Sequence, residues 1–404
     1  MNAPLTPSDI PAGFSFAATH CGIKRSRLDL GILISDVPAA AAAVFTTNQI
    51  VAAPVIACRE HMQKSRSEMR GVIVNSGNAN CCTKEDGYPA SIAMAAKLAE
   101  ELGINRSQIL VSSTGVIGAP LRVEKILAAV PHLTLVRSSE PGAFEEFARA
   151  IMTTDTRPKW AAAKCRIGGK PVRVLACAKG SGMIQPNMAT MLAYIATDAA
   201  IPPSILDRAL RAAVEPTFNS ITVDGDTSTN DTVAVLANGQ CGAPEITKPR
   251  GGDYKNFCNA LHKVCKSLAL AIVEDGEGAE RVIEIEVRGA SSERAARQVA
   301  RTIANSPLVK TAFAGADPNW GRILAAAGRS GVKFDPSRTT IKIAGVVVCR
   351  GGREHPFEEA VVHEKMLAKY VPIRVDLGSG KAAARFWTCD FTVEYIHINS
   401  SYRT

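Results

Sequence analysis

Aromatic side chains are scarce in this sequence, at 5% of 404 residues, and long uninterrupted apolar runs are missing altogether. A membrane span needs about 18 or more strongly apolar residues in a row. The richest candidate, Val37–Phe45, is mostly alanine and contains Pro38, so no span is expected. So few aromatics also leave no base-stacking platform. The net charge is +9, but basic residues are scattered, with Lys24, Arg25 and Arg27 the densest cluster. Nucleic-acid binding is therefore not expected, and the charge suits small anionic substrates. The 11 cysteines include no C-x-x-C, and the opening MNAPLTPSDIPAGF has neither a basic n-region nor an apolar h-region. These features predict reduced thiols in a cytoplasmic protein, with no disulfide scaffold and no structural zinc site.

Several catalytic signatures are absent too. There is no H-E-x-x-H, and no histidine lies near a G-x-S-x-G elbow, which leaves the zinc-hydrolase and α/β-hydrolase classes without support. Gly378-Ser379-Gly380-Lys381 looks like the end of a phosphate loop, but Val375 and Ala382 stand where that motif needs glycine and a hydroxyl residue. It reads as a turn. The stretch Asp224 to Ser228 opens like a calcium loop, yet Thr229 and Val235 replace the required glycine and glutamate. It reads as an Asx-rich turn, and no metal is expected.

What is present is ordinary globular material, 46% hydrophobic and 21% charged. At roughly 150 residues per domain the chain holds two to three domains, or a large one and a smaller one. Leu30–Ser35, Ala43–Thr47, Val72–Asn75, Ile109–Ser112, Val172–Lys179 and Arg281–Arg288 read as strands. Amphipathic helices are expected at about Tyr88–Leu102, Pro203–Glu215, Gly252–Val273 and Glu293–Asn305. Strands and helices alternate throughout, so the class is α/β or α+β. Asp275 to Ala279 is the expected hinge, dividing the chain into 1–278 and 279–404.

One stretch could carry chemistry: Lys179-Gly-Ser-Gly-Met-Ile-Gln-Pro-Asn-Met-Ala-Thr190-Met-Leu. A strand ends at Lys179, a glycine-containing loop follows, and a second apolar run begins just after Thr190. A hydroxyl residue opening a strand after a small residue is what an N-terminal nucleophile hydrolase needs. Cleavage before the threonine frees an α-amine, of ordinary pKa about 7.7–8.0, beside its own hydroxyl. That amine can serve as the general base without a histidine. A hairpin with a buried threonine fits the same residues.

The surrounding motifs bear on that choice. Val74-Asn-Ser-Gly-Asn-Ala-Asn80, Ser113-Thr-Gly-Val-Ile-Gly118, Thr153-Thr-Asp-Thr-Arg-Pro-Lys-Trp160 and the Lys179 stretch together resemble the ornithine acetyltransferase family. So do Ile221-Thr-Val-Asp-Gly-Asp-Thr-Ser-Thr-Asn-Asp231, Glu274-Asp-Gly-Glu-Gly278, Asn305-Ser-Pro-Leu-Val-Lys-Thr311, Asp317-Pro-Asn-Trp-Gly-Arg322 and Asn399-Ser-Ser-Tyr-Arg-Thr404. The resemblance runs through nearly the whole chain, in order.

It implies a layered αββα sandwich with a smaller C-terminal α/β domain. It also implies self-cleavage between Ala189 and Thr190, giving an α chain of residues 1–189 and a β chain of residues 190–404, two of each forming a heterotetramer. The implied reaction carries an acetyl group from N²-acetylornithine to glutamate, the glutamate N-acetyltransferase step of cyclic arginine biosynthesis. By resemblance Thr190 is the nucleophile, Thr114 and Gly115 are the oxyanion hole, and Thr156, Lys179, Thr190, Glu277, Asn399 and Thr404 contact substrate. No cofactor is implied, acetyl-CoA being at most an alternative donor. A related aminopeptidase or amidase, and a non-catalytic protein binding acidic metabolites, are the competing expectations.

Overall fold

The computed structural model describes residues 4–185 and 191–401. Its first eight strands are β1 (Phe14–Thr19), β2 (Leu30–Phe45), β3 (Met69–Asn78), β4 (Ile109–Val116), β5 (Lys159–Ile167), β6 (Lys170–Lys179), β7 (Leu192–Thr197) and β8 (Thr232–Ala237). They hydrogen-bond in the order β4-β3-β2-β8-β7-β6-β5, with β1 also on β2. Around them lie α1 (Ala53–Ser65), α2 (Gly87–Leu102), α3 (Val123–Val136), α4 (Pro141–Ala150), α5 (Pro203–Val214) and α6 (Gly252–Glu274).

The expected strands Leu30–Ser35 and Ala43–Thr47 are one strand. β2 runs for 16 residues, and its register against β3 breaks between Ile34 and Ala39. Before the break Leu30–Ile34 pair with Asn75–Gly71 of β3; after it Ala40–Phe45 pair with Ala237–Thr232 of β8. The strand thus bends from one layer into the other, and Pro38 falls where a missing N–H costs no central ladder bond.

The two layers face each other. Phe14, Phe16, Leu33, Val72, Val74 and Leu110 of the first share one core with Leu175, Cys177, Tyr194 and Leu236 of the second. Alternate residues point outward: Ile32, Ile73, Ile109 and Val111 meet α2 and α3, while Val174, Ala176, Ile195 and Val235 meet α5 and α6. The result is the helix–sheet–sheet–helix sandwich. The apolar stripe Ile205, Leu206, Ala209, Leu210, Ala213, Val214 puts α5 on its sheet, and Phe257, Leu261, Val264, Cys265, Leu268 and Ile272 do the same for α6.

A second sheet follows, built from β9 (Val282–Ala290), β10 (Thr340–Ile343), β11 (Val346–Arg350), β12 (Arg353–Glu354), β13 (Tyr370–Asp376) and β14 (Ala382–Cys389), in the order β12-β11-β10-β13-β9-β14. Helices α7 (Glu293–Ala304), α8 (Pro307–Ala314), α9 (Trp320–Gly328) and α10 (Glu359–Met366) enter one core with the inward residues Ile283, Ile285 and Val287 of β9. The final helix, α11 (Val393–Ser401), has no buried residue, yet it runs back to the first unit. Among the described residues no helix is long and apolar enough to cross a membrane.

The few aromatics are concentrated. Phe147 meets Tyr194 edge-on at 5.7 Å and lies 6.3 Å from Phe16 and 6.4 Å from Phe144, all measured between ring centroids. Gly31 makes room for it, since a Cβ there would come within 2.8 Å of the Phe147 ring. Phe147→Ala should therefore cost about 3–5 kcal/mol, read from the urea midpoint at unchanged slope.

Candidate functional site

Sheet register brings several strand ends to one level. Lys179, the last residue of β6, pairs with Leu192 at the start of β7, which pairs with Thr232 at the start of β8, which pairs with Phe45 at the end of β2. A cavity of about 220 Å³ opens at this edge. Thr114, Gly115, Lys179, Glu277 and Asn399 line it, so five of the residues singled out in the sequence share one space. Thr190, Ala189 and Thr404 lie outside the described residues; Met191, next in sequence after Thr190, lines the cavity. Thr156 does not join them. It is exposed, and its N–H and hydroxyl both bond to Asp275, while Thr153 and Thr154 line the cavity instead.

Thr114 and Gly115 directly precede Val116, the last residue of β4, and lie opposite Ser76 and Gly77 of β3. Gly115 has φ +132°, and a Cβ there would lie 2.4 Å from the Gly77 carbonyl carbon, so only glycine fits this crossing. The buried Lys179 ammonium donates to Thr153 Oγ1 at 2.7 Å and to Thr114 Oγ1 at 3.3 Å. Burial is the main cause that lowers its pKa, and Lys159 adds to it against the pull of Asp155, Glu277 and Asp231. Its hydrogen bonds go to hydroxyls, so an arriving carboxylate would meet an under-neutralised cation.

Glu277, also buried, stands in the loop after α6. Its N–H donates to Ser181 O at 2.9 Å, and Asn399 Nδ2 on α11 donates to its Oε2 at 2.8 Å. Gly182 lets it in, because a Cβ there would lie 2.4 Å from the carboxyl. The loop Asp275 to Ala279 is clasped from the other side as well: a Cβ on Gly276 would lie 3.1 Å from Cys389 Sγ, and one on Gly278 2.4 Å from Tyr395 N. The segment expected as a hinge is therefore packed between α6 and the C-terminal elements and supplies one wall of the cavity.

Behind that wall lies a fully buried ion cluster. Lys159 Nζ donates to Asp155 Oδ1 at 2.6 Å and to Asp275 Oδ2 at 2.5 Å. Asp155 also accepts from the N–H groups of Gly180 at 2.7 Å and Thr153 at 3.0 Å. Burial works against its charge, but Lys159, Lys179 and those bonds together hold the carboxyl well below the usual carboxylate range.

The remaining acidic lining residues were singled out in the sequence only within longer motifs. The Asp224 carboxyl takes the N–H groups of Met183 at 2.6 Å, Ile184 at 2.9 Å and Asp226 at 3.2 Å, so the Asx-turn reading describes its bonding. Asp224 and Asp226 also face the cavity, as do Asn230, Asp231 and Tyr395. Asn230 donates to Ala79 O at 2.6 Å and to Ser113 O at 2.8 Å, tying the start of β8 to the strand that carries Thr114. The signal for these residues was their density in Asp224–Asp231, four acids or amides within eight positions.

A lysine in a hydroxyl cradle, with carboxyl groups nearby, suits a small zwitterion that carries an extra ammonium. A model of the ArgJ family matches residues 15–404. The arginine biosynthesis bifunctional protein ArgJ of Thermotoga neapolitana is 48% identical over 399 residues, covering 98% of this chain and 100% of that protein. Its namesake from Thermosynechococcus vestitus is 46% identical over 408 residues, 97% of this chain and 96% of that one. A crystal structure of an arginine biosynthesis bifunctional protein from Bacillus halodurans is 42% identical, with a TM-score of 0.50, and covers 52% of this chain and 98% of that chain.

Lys159→Met should leave Asp155 and Asp275 buried without their cation, at about 3–5 kcal/mol. Because the Asp155 pKa is depressed on folding, its contribution is complete above the ordinary carboxylate pKa of about 3.9 and is lost as the pH falls below it. Urea midpoints followed from neutral to acid pH should show that loss in the wild type and a smaller one in Lys159→Met.

Proposed function

Because this chain belongs to the ArgJ family, we propose that it transfers the acetyl group of N²-acetylornithine to glutamate through an acetyl ester on Thr190, after cutting itself between Ala189 and Thr190. The observation that carries this is the meeting of Thr114, Gly115, Lys179 and Glu277 in one cavity beside Met191.

An acetyl amide is a poor electrophile, so the barrier falls only if the tetrahedral oxyanion is held. The Thr114 hydroxyl and the Gly115 N–H are the two donors, and losing one such donor costs about 2.7–4 kcal/mol. Thr190 Oγ gives its proton to the freed α-amine and attacks the carbonyl carbon. The C–N bond to ornithine breaks, and the α-ammonium returns the proton to the departing nitrogen. The glutamate amine then attacks the ester and gives its proton to the α-amine, the bond to Oγ breaks, and the α-ammonium returns the proton to Oγ, so Thr190 is regenerated as N-acetylglutamate leaves. Both substrates bring an α-carboxylate for Lys179. Ornithine alone brings a terminal ammonium, for which Glu277 and the neighbouring Asp224 and Asp226 are the partners. Thr156, through its bonds to Asp275, acts on the loop that carries Glu277.

The lengths support the cut. The Bacillus halodurans chain, matched over 98% of itself, spans only 52% of this one; the proposed β chain would be 215 of 404 residues. We further propose that α and β chains stay together as an α₂β₂ heterotetramer. The relatives are named bifunctional, which supports acetyl-CoA as a second donor.

Intact-mass analysis should show two fragments for the wild type and one chain for Thr190→Ala, which should have no transferase activity. A fully active, uncut wild type would overturn the cleavage step. Initial rates against acetylornithine and glutamate should give parallel reciprocal plots; intersecting ones would mean direct transfer in a ternary complex. Parallel assays with acetylornithine and acetyl-CoA decide the donor range, and acetate release without glutamate would point to a hydrolase.

A further inference from the structure

Thr114 and Gly115 stand in one layer of the sandwich, while Met191, the residue after Thr190, leads into β7 in the other. β4 is the outermost strand on its side, with β3 as its one strand neighbour. The outer side of such a strand has no ladder to hold it in place. A side chain from the other layer reaches it instead. Asn230, buried and two residues before β8, donates from Nδ2 to Ser113 O at 2.8 Å and to Ala79 O at 2.6 Å. Both amide hydrogens are thereby used. The two carbonyls bracket the oxyanion pair. Ser113 directly precedes Thr114, and Ala79 N donates at 2.9 Å to the carbonyl of Val116, which directly follows Gly115. One amide therefore holds both ends of the Thr114–Gly115 dipeptide.

The amide is itself fixed. Thr229 Oγ1 donates to Asn230 Oδ1 at 2.5 Å, and Asn230 N donates to Ser228 Oγ at 3.1 Å. The segment is seated in turn, since Ala52 N donates to Thr229 O at 3.1 Å and Thr232 N donates to Met191 O at 3.0 Å. The stretch Thr229–Thr232 thus grips the residue after Thr190 with its backbone and the oxyanion strand with a side chain. Lys179 also crosses between the layers, to Thr114 Oγ1 at 3.3 Å, but its ammonium is the partner of an incoming carboxylate. The Asn230 bonds run to backbone carbonyls that no substrate displaces. We propose that Asn230 is a positioning residue of the acyl-transfer site, setting the distance between the Thr114 and Gly115 donors of one layer and the nucleophile strand of the other. An oxyanion donor acts when it lies about 2.7–3.1 Å from where the charge develops. A misplacement of about 1 Å costs on the order of a hundredfold in rate. Asn230 lines the cavity, yet its donors are turned to the protein, so it acts through Thr114 and Gly115.

The inference rests on the transferase reading above, and its test separates the two. Wild type, Asn230→Ala, Asn230→Asp, Thr114→Ala and Phe147→Ala are compared for melting temperature and for the two-fragment pattern. Each is then assayed, per cut chain, for ornithine released in the first turnover from acetylornithine without glutamate, and for KM of both substrates. A wild type that releases no ornithine would sink the transferase reading itself. With an active wild type, Asn230→Ala should slow the first turnover about tenfold to a hundredfold and leave both KM values within about threefold. In Asn230→Asp the carboxylate keeps the shape and the Thr229 bond but loses both donors, so it should be similarly slow. Because both residues act through one hole, adding Asn230→Ala to Thr114→Ala should cost less than the product of the single losses. Phe147→Ala, which loosens the same sandwich away from the cavity, should lower the melting temperature and leave the first turnover unchanged. A folded Asn230→Ala with the wild-type first-turnover rate overturns the proposal. So do losses that multiply with those of Thr114→Ala, a loss confined to KM, or a Phe147→Ala as slow as Asn230→Ala. Should both Asn230 variants stay uncut, Thr114→Ala must stay uncut with them; a cut Thr114→Ala beside uncut Asn230 variants overturns the proposal as well.

Discussion

An ammonium shut away from water is costly unless it is paired, and Lys159 is paired with two carboxylates. Asp155 and Asp275 come from different parts of the chain, one from the turn before β5 and the other from the end of α6. Their pairing costs desolvation and contributes little net stability by itself. What it supplies is position. Asp155 holds the Gly180 amide just past Lys179, and Asp275 holds Thr156, so three chain segments are located by one charge. The Lys179 strand end, the Thr153–Thr156 turn and the Glu277 loop are then fixed relative to one another, and they are three walls of the cavity.

The sheet supplies the remaining placement. Adjacent strands in register deliver Lys179, Met191 and Asp231 to a common edge, and Asn230 carries the tie across to Ser113, beside Thr114. Charge and hydroxyl groups that are far apart in sequence become neighbours because backbone ladders leave them no other place. A cation that bonds only to hydroxyls is tolerable in such a setting because its missing counter-charge can arrive with the substrate.

Periodic segments were legible in the sequence. The stripes of α5 and α6 gave their starts correctly and their ends to within one residue, and the alternation of Ile283, Ile285 and Val287 marked β9. β2 was read as two strands because its middle, Asp36 to Ala42, has neither large apolar residues nor strong alternation. Its continuity comes from pairing with two different neighbours, which no local pattern encodes. α1, α3 and α4 went unrecognised: α1 has a weak apolar face, and α3 contains Pro131. At the site, Thr114, Gly115, Lys179, Glu277 and Asn399 were named through motifs. Asp155, Lys159 and Asp231 stood inside quoted motifs but received no role, since burial of a charge is a property of tertiary structure.

The bent second strand has one more implication. The ladder between β6 and β7 and the ladder between β2 and β8 each join a strand that precedes position 189 to one that follows it. A nicked molecule therefore remains interlocked, with the central pair β7 and β8 gripped on both flanks by the other fragment. Neither piece would bury its own sheet edges in isolation, so melting a nicked molecule should release fragments whose reassembly is second order and concentration-dependent. The nick would turn a unimolecular refolding problem into a meeting of two chains.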